Sequence, residues 1–323
     1  MKILVTARSF RQTEGPHQQI LKDAGHEVLN SSQDRPLKAA ELATLVGDVA
    51  GLILGLDEVT SEVLDEAGSL RVISRYGVGV DNIDLEAATS RGIVVTNTPG
   101  ANTLAVAELT ITLMLALARR IPYHDRIVKQ GGWTRISGTE MAGRTLGIVG
   151  IGRIGREVAK RALGFGIEIL YHDPVPPPQE FLASVPATYR SLQDLVAESD
   201  FVSLHCPLTD DTRNLIDRSL LGRFKPSAYL VNTARGGLVD EQALYAALAG
   251  GVLAGAACDV FTDEPPTDSP LVELDNFIAT PHIGSTTVHT ALRMGLMASQ
   301  NALAALRGER PANVVNPEVY EQH

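Results

Sequence analysis

Residues 144–173 read RTLGIVGIGRIGREVAKRALGFGIEILYHD, and the order of their parts leaves few folds open. An apolar run enters a turn with glycines at 150, 152 and 155, spaced G-x-G-x-x-G. A helix-forming stretch follows at once, then a second apolar run closed by an acid, Asp173. Strand, glycine turn, helix and second strand make a βαβ unit, the opening of a doubly wound parallel sheet. Each part has a physical task. Gly150 permits the tight turn, Gly152 lets a pyrophosphate approach the backbone, and Gly155 lets helix and strand pack closely. The helix start, at Arg153 and Ile154, offers free N–H groups and a partial positive charge to an anion. The Asp173 carboxylate suits the hydroxyls of a ribose. It would repel a 2′-phosphate, and HDPVPPP supplies no Lys or Arg to offset that, so NAD is expected over NADP.

The address of this unit is unusual, because nearly half of the 323-residue chain precedes it. The preceding part also alternates. KILVT, EVLN, GLILG, RVISRY and IVVTN are strand-like, with helical stretches near 61–67 and 84–90 between them, and no glycine-rich phosphate turn. A long helical region is expected over about 103–130. After residue 144 come the strand-like runs TLGIVG, IEILYHD, DFVSLHC, AYLVNTA, LAGAACDV and NFIAT. Ser191 and Asp194 could form a capping box. A helix is expected at 240–249 and a last one at about 286–307, before an irregular, Pro-containing tail. The expected fold is α/β, with two doubly wound parallel-sheet domains. A Rossmann NAD-binding domain, 100–288, is inserted in a flavodoxin-like substrate domain made of 1–99 plus 289–323.

Composition removes other classes. The net charge is −10 and no Lys/Arg-rich block occurs, which argues against a nucleic-acid partner. The longest apolar stretch, 104–118, carries Glu108 and threonines and is too short and polar to span a bilayer. The apolar run at the N-terminus is too short for a signal peptide, so a cytoplasmic protein without membrane contact is expected. Both cysteines, Cys206 and Cys258, sit in apolar runs, and no Cys/His spacing suits a metal.

Three later segments carry chemistry. VNTARGGLVDE places Arg235 after a strand, CDVFTDEPP places Asp259 and Glu264 after another, and ATPHIGST places His282 after a third. Ligands of doubly wound sheets bind at the carboxyl ends of the strands, so Arg235, Glu264 and His282 can converge beside the dinucleotide. Reduction of a 2-keto acid needs such a set. An arginine anchors carboxylate with two bonds, a histidine gives the proton near neutral pH, and a neighbouring carboxylate favours the imidazolium.

With these motifs together, the chain resembles the D-isomer-specific 2-hydroxyacid dehydrogenase family over nearly its whole length. GIVGIGRIG, YHDP, VNTARGGLVDE, DVFTDEPP and PHIGS carry the resemblance. It implies catalytic Arg235, Glu264 and His282. It also implies cofactor contacts at Arg153, Ile154, Asp173, Cys206, Thr233, Ala234, Asp259 and Gly284. It implies a homodimer, with the helical region near 103–130 and the segment after it in the interface. RYGVGVDNIDLEAA and GIVVTNTPGAN are most similar to the phosphoglycerate branch of the family. That branch implies substrate contacts at Arg75, Tyr76, Val78, Gly79 and Arg135, with the backbone at Val78 and Gly79 on the carboxylate and the two arginines near a phosphate. Gly55 departs from the pattern, because that branch tends to carry a further arginine there. A reductase of hydroxypyruvate or glyoxylate is therefore the alternative. Formate oxidation is disfavoured by Glu264, and an NAD-sensing interaction protein is the alternative from another class.

Overall fold

The computed structural model describes residues 1–321. The chain divides into two compact units, Met1–Asn102 with the chain from Ser285 onward, and Thr103–Gly284. The divisions lie within a few residues of the expected 99/100 and 288/289. The first falls where the helix Thr103–Ala118 begins.

The discontinuous unit is built on five parallel strands: β1 (Lys2–Val5), β2 (Glu27–Asn30), β3 (Gly51–Leu54), β4 (Val72–Arg75) and β5 (Val94–Thr96). They lie in the order β2-β1-β3-β4-β5, the flavodoxin-like arrangement. Strands GLIL and VISR are buried along their whole length, as strands covered on both faces must be. The last helix, Val288–Leu306, returns to cover one face, packing Met294, Ala298 and Ala302 against Ile3, Val5 and Phe10. Leu42, Val46, Leu52 and Ile73 fill the other face. The tail, irregular by sequence, is fastened down. Val314 bridges Thr96 in antiparallel sense, and Val315 N–H donates to Val95 O at 2.8 Å. Asn316 accepts from Val95 N–H at 2.8 Å and donates to Ile93 O at 2.9 Å.

The second unit holds seven parallel strands: β6 (Thr145–Val149), β7 (Glu168–His172), β8 (Ala187–Tyr189), β9 (Phe201–Leu204), β10 (Tyr229–Asn232), β11 (Gly255–Cys258) and β12 (Phe277–Ala279). Their order is β12-β11-β10-β9-β6-β7-β8. The winding reverses between β6 and β9, the switch point of a Rossmann sheet. Edge strand β8 and the helix Gln179–Ser184 give little apolar signal and were not expected from sequence. The expected 103–130 helix is two helices, Thr103–Ala118 and Ile121–Lys129. Pro122 lacks an N–H and would crowd the carbonyl four residues back, at Ala118, so the first helix ends there. Arg120 then turns through φ 51°. Ser191 Oγ caps its helix by accepting from Asp194 N–H, while the Asp194 carboxylate takes the Ser191 hydroxyl instead of closing a full box. Among the described residues, no helix is long and apolar enough to cross a membrane.

Candidate active site

Register aligns the strand ends of the second unit. Val149 lies beside Leu204, Leu204 beside Asn232, Asn232 beside Cys258, and Cys258 beside Ala279. The segments that follow these strands therefore share one edge of the sheet.

At the switch point, two of the three motif glycines are required by the protein's own packing. Gly150 has φ 94°, and a Cβ there would lie 2.6 Å from the Cys206 amide nitrogen. A Cβ on Gly155 would lie 2.2 Å from Gly150 O. Gly152, which caps the helix Arg153–Leu163, has no protein atom within 4 Å of a Cβ position. That open approach to a helix N-terminus fits a pyrophosphate. Arg153 is exposed at the helix start, and Ile154 packs partly against the core. Asp173 accepts from Ile151 N–H at 2.8 Å and from Val175 N–H at 2.8 Å, so it ties the end of β7 to the glycine turn. A carboxylate has about four acceptor sites, which leaves capacity for ribose hydroxyls. Cys206 is half-buried, and burial pushes its thiol up to about 11. The Thr233 hydroxyl lies 2.9 Å from that of Thr110 and so turns into the helix Thr103–Ala118. Ala234 N–H donates to Asn232 Oδ1 at 3.0 Å.

The chemistry-bearing set assembles by backbone contact. Asn232 is buried at the end of β10, and its Nδ2 donates to Arg235 O at 2.8 Å. This clamp closes the turn that carries Arg235. A Cβ on Gly236 would lie 1.9 Å from the Phe261 carbonyl carbon, so the Arg235 turn and the 261–264 turn touch backbone to backbone. Glu264 Oε1 accepts from Phe261 N–H at 3.1 Å. The same carboxylate meets His282 Nδ1 at 2.8 and 3.1 Å. An ionised carboxylate only accepts, so Nδ1 carries the proton and Nε2 is the nitrogen able to exchange one with a substrate. The side chains of His282 and Glu264 are 27% and 29% exposed, within reach of a small molecule.

His282 adopts φ 53°, which costs a non-glycine residue about 1–2 kcal/mol. Asp259 supports that conformation. Its carboxylate, 1% exposed, accepts from Thr280 Oγ1 at 2.6 Å and from the N–H groups of Ile283 and Gly284, each at 2.8 Å. Burial raises its pKa, and these donors oppose the rise. Asp259, expected to contact the cofactor, directs both oxygens into the 280–284 segment. Its geometry makes it a support for His282. Asn232 and Thr280 escaped the sequence reading. The signal in each case is a polar residue at or just past the end of an apolar strand.

The expected substrate residues divide. Arg75 is 5% exposed and ends β4. Its Nε donates to Gly79 O at 3.0 Å and its Nη1 to Tyr76 O. Tyr76 is 5% exposed, lies in the core under the helix Val288–Leu306, and donates its hydroxyl to Ala291 O at 3.2 Å. Both side chains are buried and donate to backbone carbonyls of their own unit. The guanidinium satisfies carbonyls that the loop would otherwise bury unpaired. Val78 is 37% exposed and Gly79 half-buried. Arg135 is exposed in the second unit, after the helix Ile121–Lys129.

The model of the D-isomer specific 2-hydroxyacid dehydrogenase NAD-binding domain matches residues 111–284. The chain is 44% identical over 321 residues to a glyoxylate reductase of Korarchaeum cryptofilum, covering 97% of this chain and 96% of that one. It is 47% identical over 261 residues to a D-3-phosphoglycerate dehydrogenase of Methanocaldococcus jannaschii, covering 80% of this chain and 50% of that one. The crystal structure of the TT0316 protein from Thermus thermophilus superposes with TM-score 0.88 at 44% identity, covering 98% of this chain and 100% of that one. With the glycine turn, the Glu264–His282 pair and the Arg235 turn in place, the chain belongs to the D-isomer-specific 2-hydroxyacid dehydrogenase family and is an NAD-dependent oxidoreductase.

Proposed function

We propose that the substrate is a small unphosphorylated 2-keto acid, hydroxypyruvate or glyoxylate, reduced to its D-2-hydroxy acid with NADH. The inward-turned Arg75 carries this reading. Of the two arginines expected near a phosphate, it donates to its own loop. Gly55 supplies no cation either, and its N–H donates to Asp57 at 3.1 Å. The identity to the Methanocaldococcus jannaschii enzyme and the exposed Arg135 favour a second reading, oxidation of 3-phosphoglycerate.

Held at the glycine turn of 150–155 and by Asp173, a nicotinamide dinucleotide would supply or accept the hydride at C2 of the substrate. The rest of the task falls to the chain. Arg235 binds the acid and polarises its carbonyl, and charge-assisted bonds of this kind contribute about 1.5–3 kcal/mol each. His282 Nε2 gives the proton to the carbonyl oxygen on reduction and takes it back on oxidation. Glu264 holds the imidazole by Nδ1 and so leaves Nε2 for the exchange. Asp173 favours NAD over NADP by opposing a 2′-phosphate.

We also read the protein as a cytoplasmic homodimer. The helix Ile121–Lys129 buries none of its residues, and Ile121, Val128 and Trp133 are 54%, 54% and 75% exposed. A second copy of this chain would cover that surface.

NADH oxidation measured side by side with hydroxypyruvate, glyoxylate and phosphohydroxypyruvate tests the substrate. Higher kcat/KM for the unphosphorylated acids is expected. A strong preference for phosphohydroxypyruvate would replace this reading with the second.

A further inference from the structure

The loop after β4 keeps its carbonyls to itself. Four consecutive carbonyls, from Tyr76 to Gly79, accept hydrogen bonds from within the discontinuous unit. Arg75 supplies the first and the last. Thr98 N–H donates to Gly77 O at 2.9 Å, and Asn97 Nδ2 donates to Val78 O at 2.8 Å. In a trans peptide the N–H points opposite to the carbonyl of the preceding residue. Carbonyls at 77, 78 and 79 that are taken up by donors of the same unit therefore turn the amides of Val78, Gly79 and Val80 away from those donors, where Val78 is exposed and Gly79 and Val80 are half-buried. A row of outward amides is a nest for an anion.

The position of the Arg75 guanidinium explains Gly77. A Cβ at residue 77 would lie 2.5 Å from Arg75 Nη1, and φ there is 152°. The planar fork thus lies directly under the turn and reaches carbonyls on both sides of it. An ammonium on a flexible stem has no such fork.

We propose that Arg75 is a positioning residue, whose buried guanidinium braces the Tyr76 and Gly79 carbonyls and so presents the amides of 78–80 to the carboxylate of a 2-keto acid. This rests on the substrate class proposed above. A brace of this kind acts on every substrate through the carboxylate they share, whatever the far end carries. A direct phosphate ligand would act on phosphorylated acids alone.

The test uses the full chain with Arg75→Lys, Arg75→Met and Gly77→Ala. Glyoxylate, which has no side chain, is compared with phosphohydroxypyruvate. In all three variants KM for both acids should rise by a similar factor, about tenfold or more, as when a charged hydrogen bond is lost. The Kd for NADH should stay at the wild-type value. Gly77→Ala should reproduce the effect with Arg75 intact. A KM rise confined to phosphohydroxypyruvate would overturn the proposal in favour of a direct ligand. A lowered Tm with unchanged KM values would overturn it in favour of a purely structural arginine. Amide exchange separates the brace from the substrate reading. The Gly77 and Thr98 amides, both hydrogen-bonded in this loop, should exchange faster in Arg75→Met. Unchanged exchange would overturn the brace even if the wild type reduces neither acid. Faster exchange in a wild type silent on both acids would leave the brace standing and remove the substrate class.

Discussion

The Glu264–His282 pair gives the protein its clearest single-residue test. Nδ1 is committed to the carboxylate at 2.8 Å, which leaves Nε2 for the proposed proton exchange. Replacing His282 with Ala should lower kcat by roughly 10²–10⁴-fold, the usual range for a lost general acid. NADH affinity, measured by fluorescence titration, should hold. Glu264→Gln keeps an acceptor but removes the charge, so its loss should be smaller than that of His282→Ala. Wild-type kcat in His282→Ala would refute the assignment. Sequence alone disclosed this pair, because His, Glu and Arg each followed a strand-like run and a doubly wound sheet gathers such positions. It did not disclose the direction of Arg75 or Tyr76. Both stand at the end of β4, where successive side chains point to opposite faces, and only the packing of the returning helix decides which environment each meets. Asp259 shows the same limit. Its type suits a polar ligand, and the spacing did not disclose that Thr280, Ile283 and Gly284 would donate to it.

At the scale of elements, β6 and β9 meet at the switch point with little room to spare. His205 N–H donates to Val149 O at 2.7 Å, and Gly150 abuts the 205–206 backbone. His205 Nε2 lies 2.8 Å from Ser203 Oγ, its Nδ1 is buried without a partner, and burial pushes its pKa down from 6.5 to about 3. The sign follows from proton binding. Between those values the unfolded chain is protonated and the folded chain is not, so stability is full above about pH 6.5 and falls toward pH 3. Urea unfolding followed across that window should show a contribution from this group of up to about 1.4 kcal/mol per pH unit. His205→Gln should lack it, and an identical pH slope in the variant would count against the buried neutral imidazole. The glycine turn itself was legible because its spacing is a steric requirement at Gly150 and Gly155. The break at Arg119–Arg120 was hidden by the strong apolar run before it, although Pro122 marked the place.

At the scale of the molecule, the chain's organisation follows from one interruption. The seven-stranded unit occupies Thr103–Gly284, between the two segments of the five-stranded one. Two alternating series, of which only the second bears the phosphate turn, made that layout readable. Exposed apolar surface at Ile121, Val128 and Trp133 belongs to this scale as well, since only a second copy of the chain is proposed to cover it. Light scattering on the eluting protein should give twice the mass of the chain, and Trp133→Glu should shift it toward the monomer. A monomeric wild type would end the dimer reading.

The end of the chain has a consequence of another kind. A parallel sheet with open flanks offers unpaired backbone groups to any extended peptide, which is how many proteins aggregate. Here Val314 and Val315 lie along β5, and the Asn316 side chain takes up the N–H of Val95 and the carbonyl of Ile93. Residues 314–316 thereby cover one margin of the smaller sheet. That margin is taken up within the chain, which leaves it no free backbone to offer a strand of a neighbouring copy.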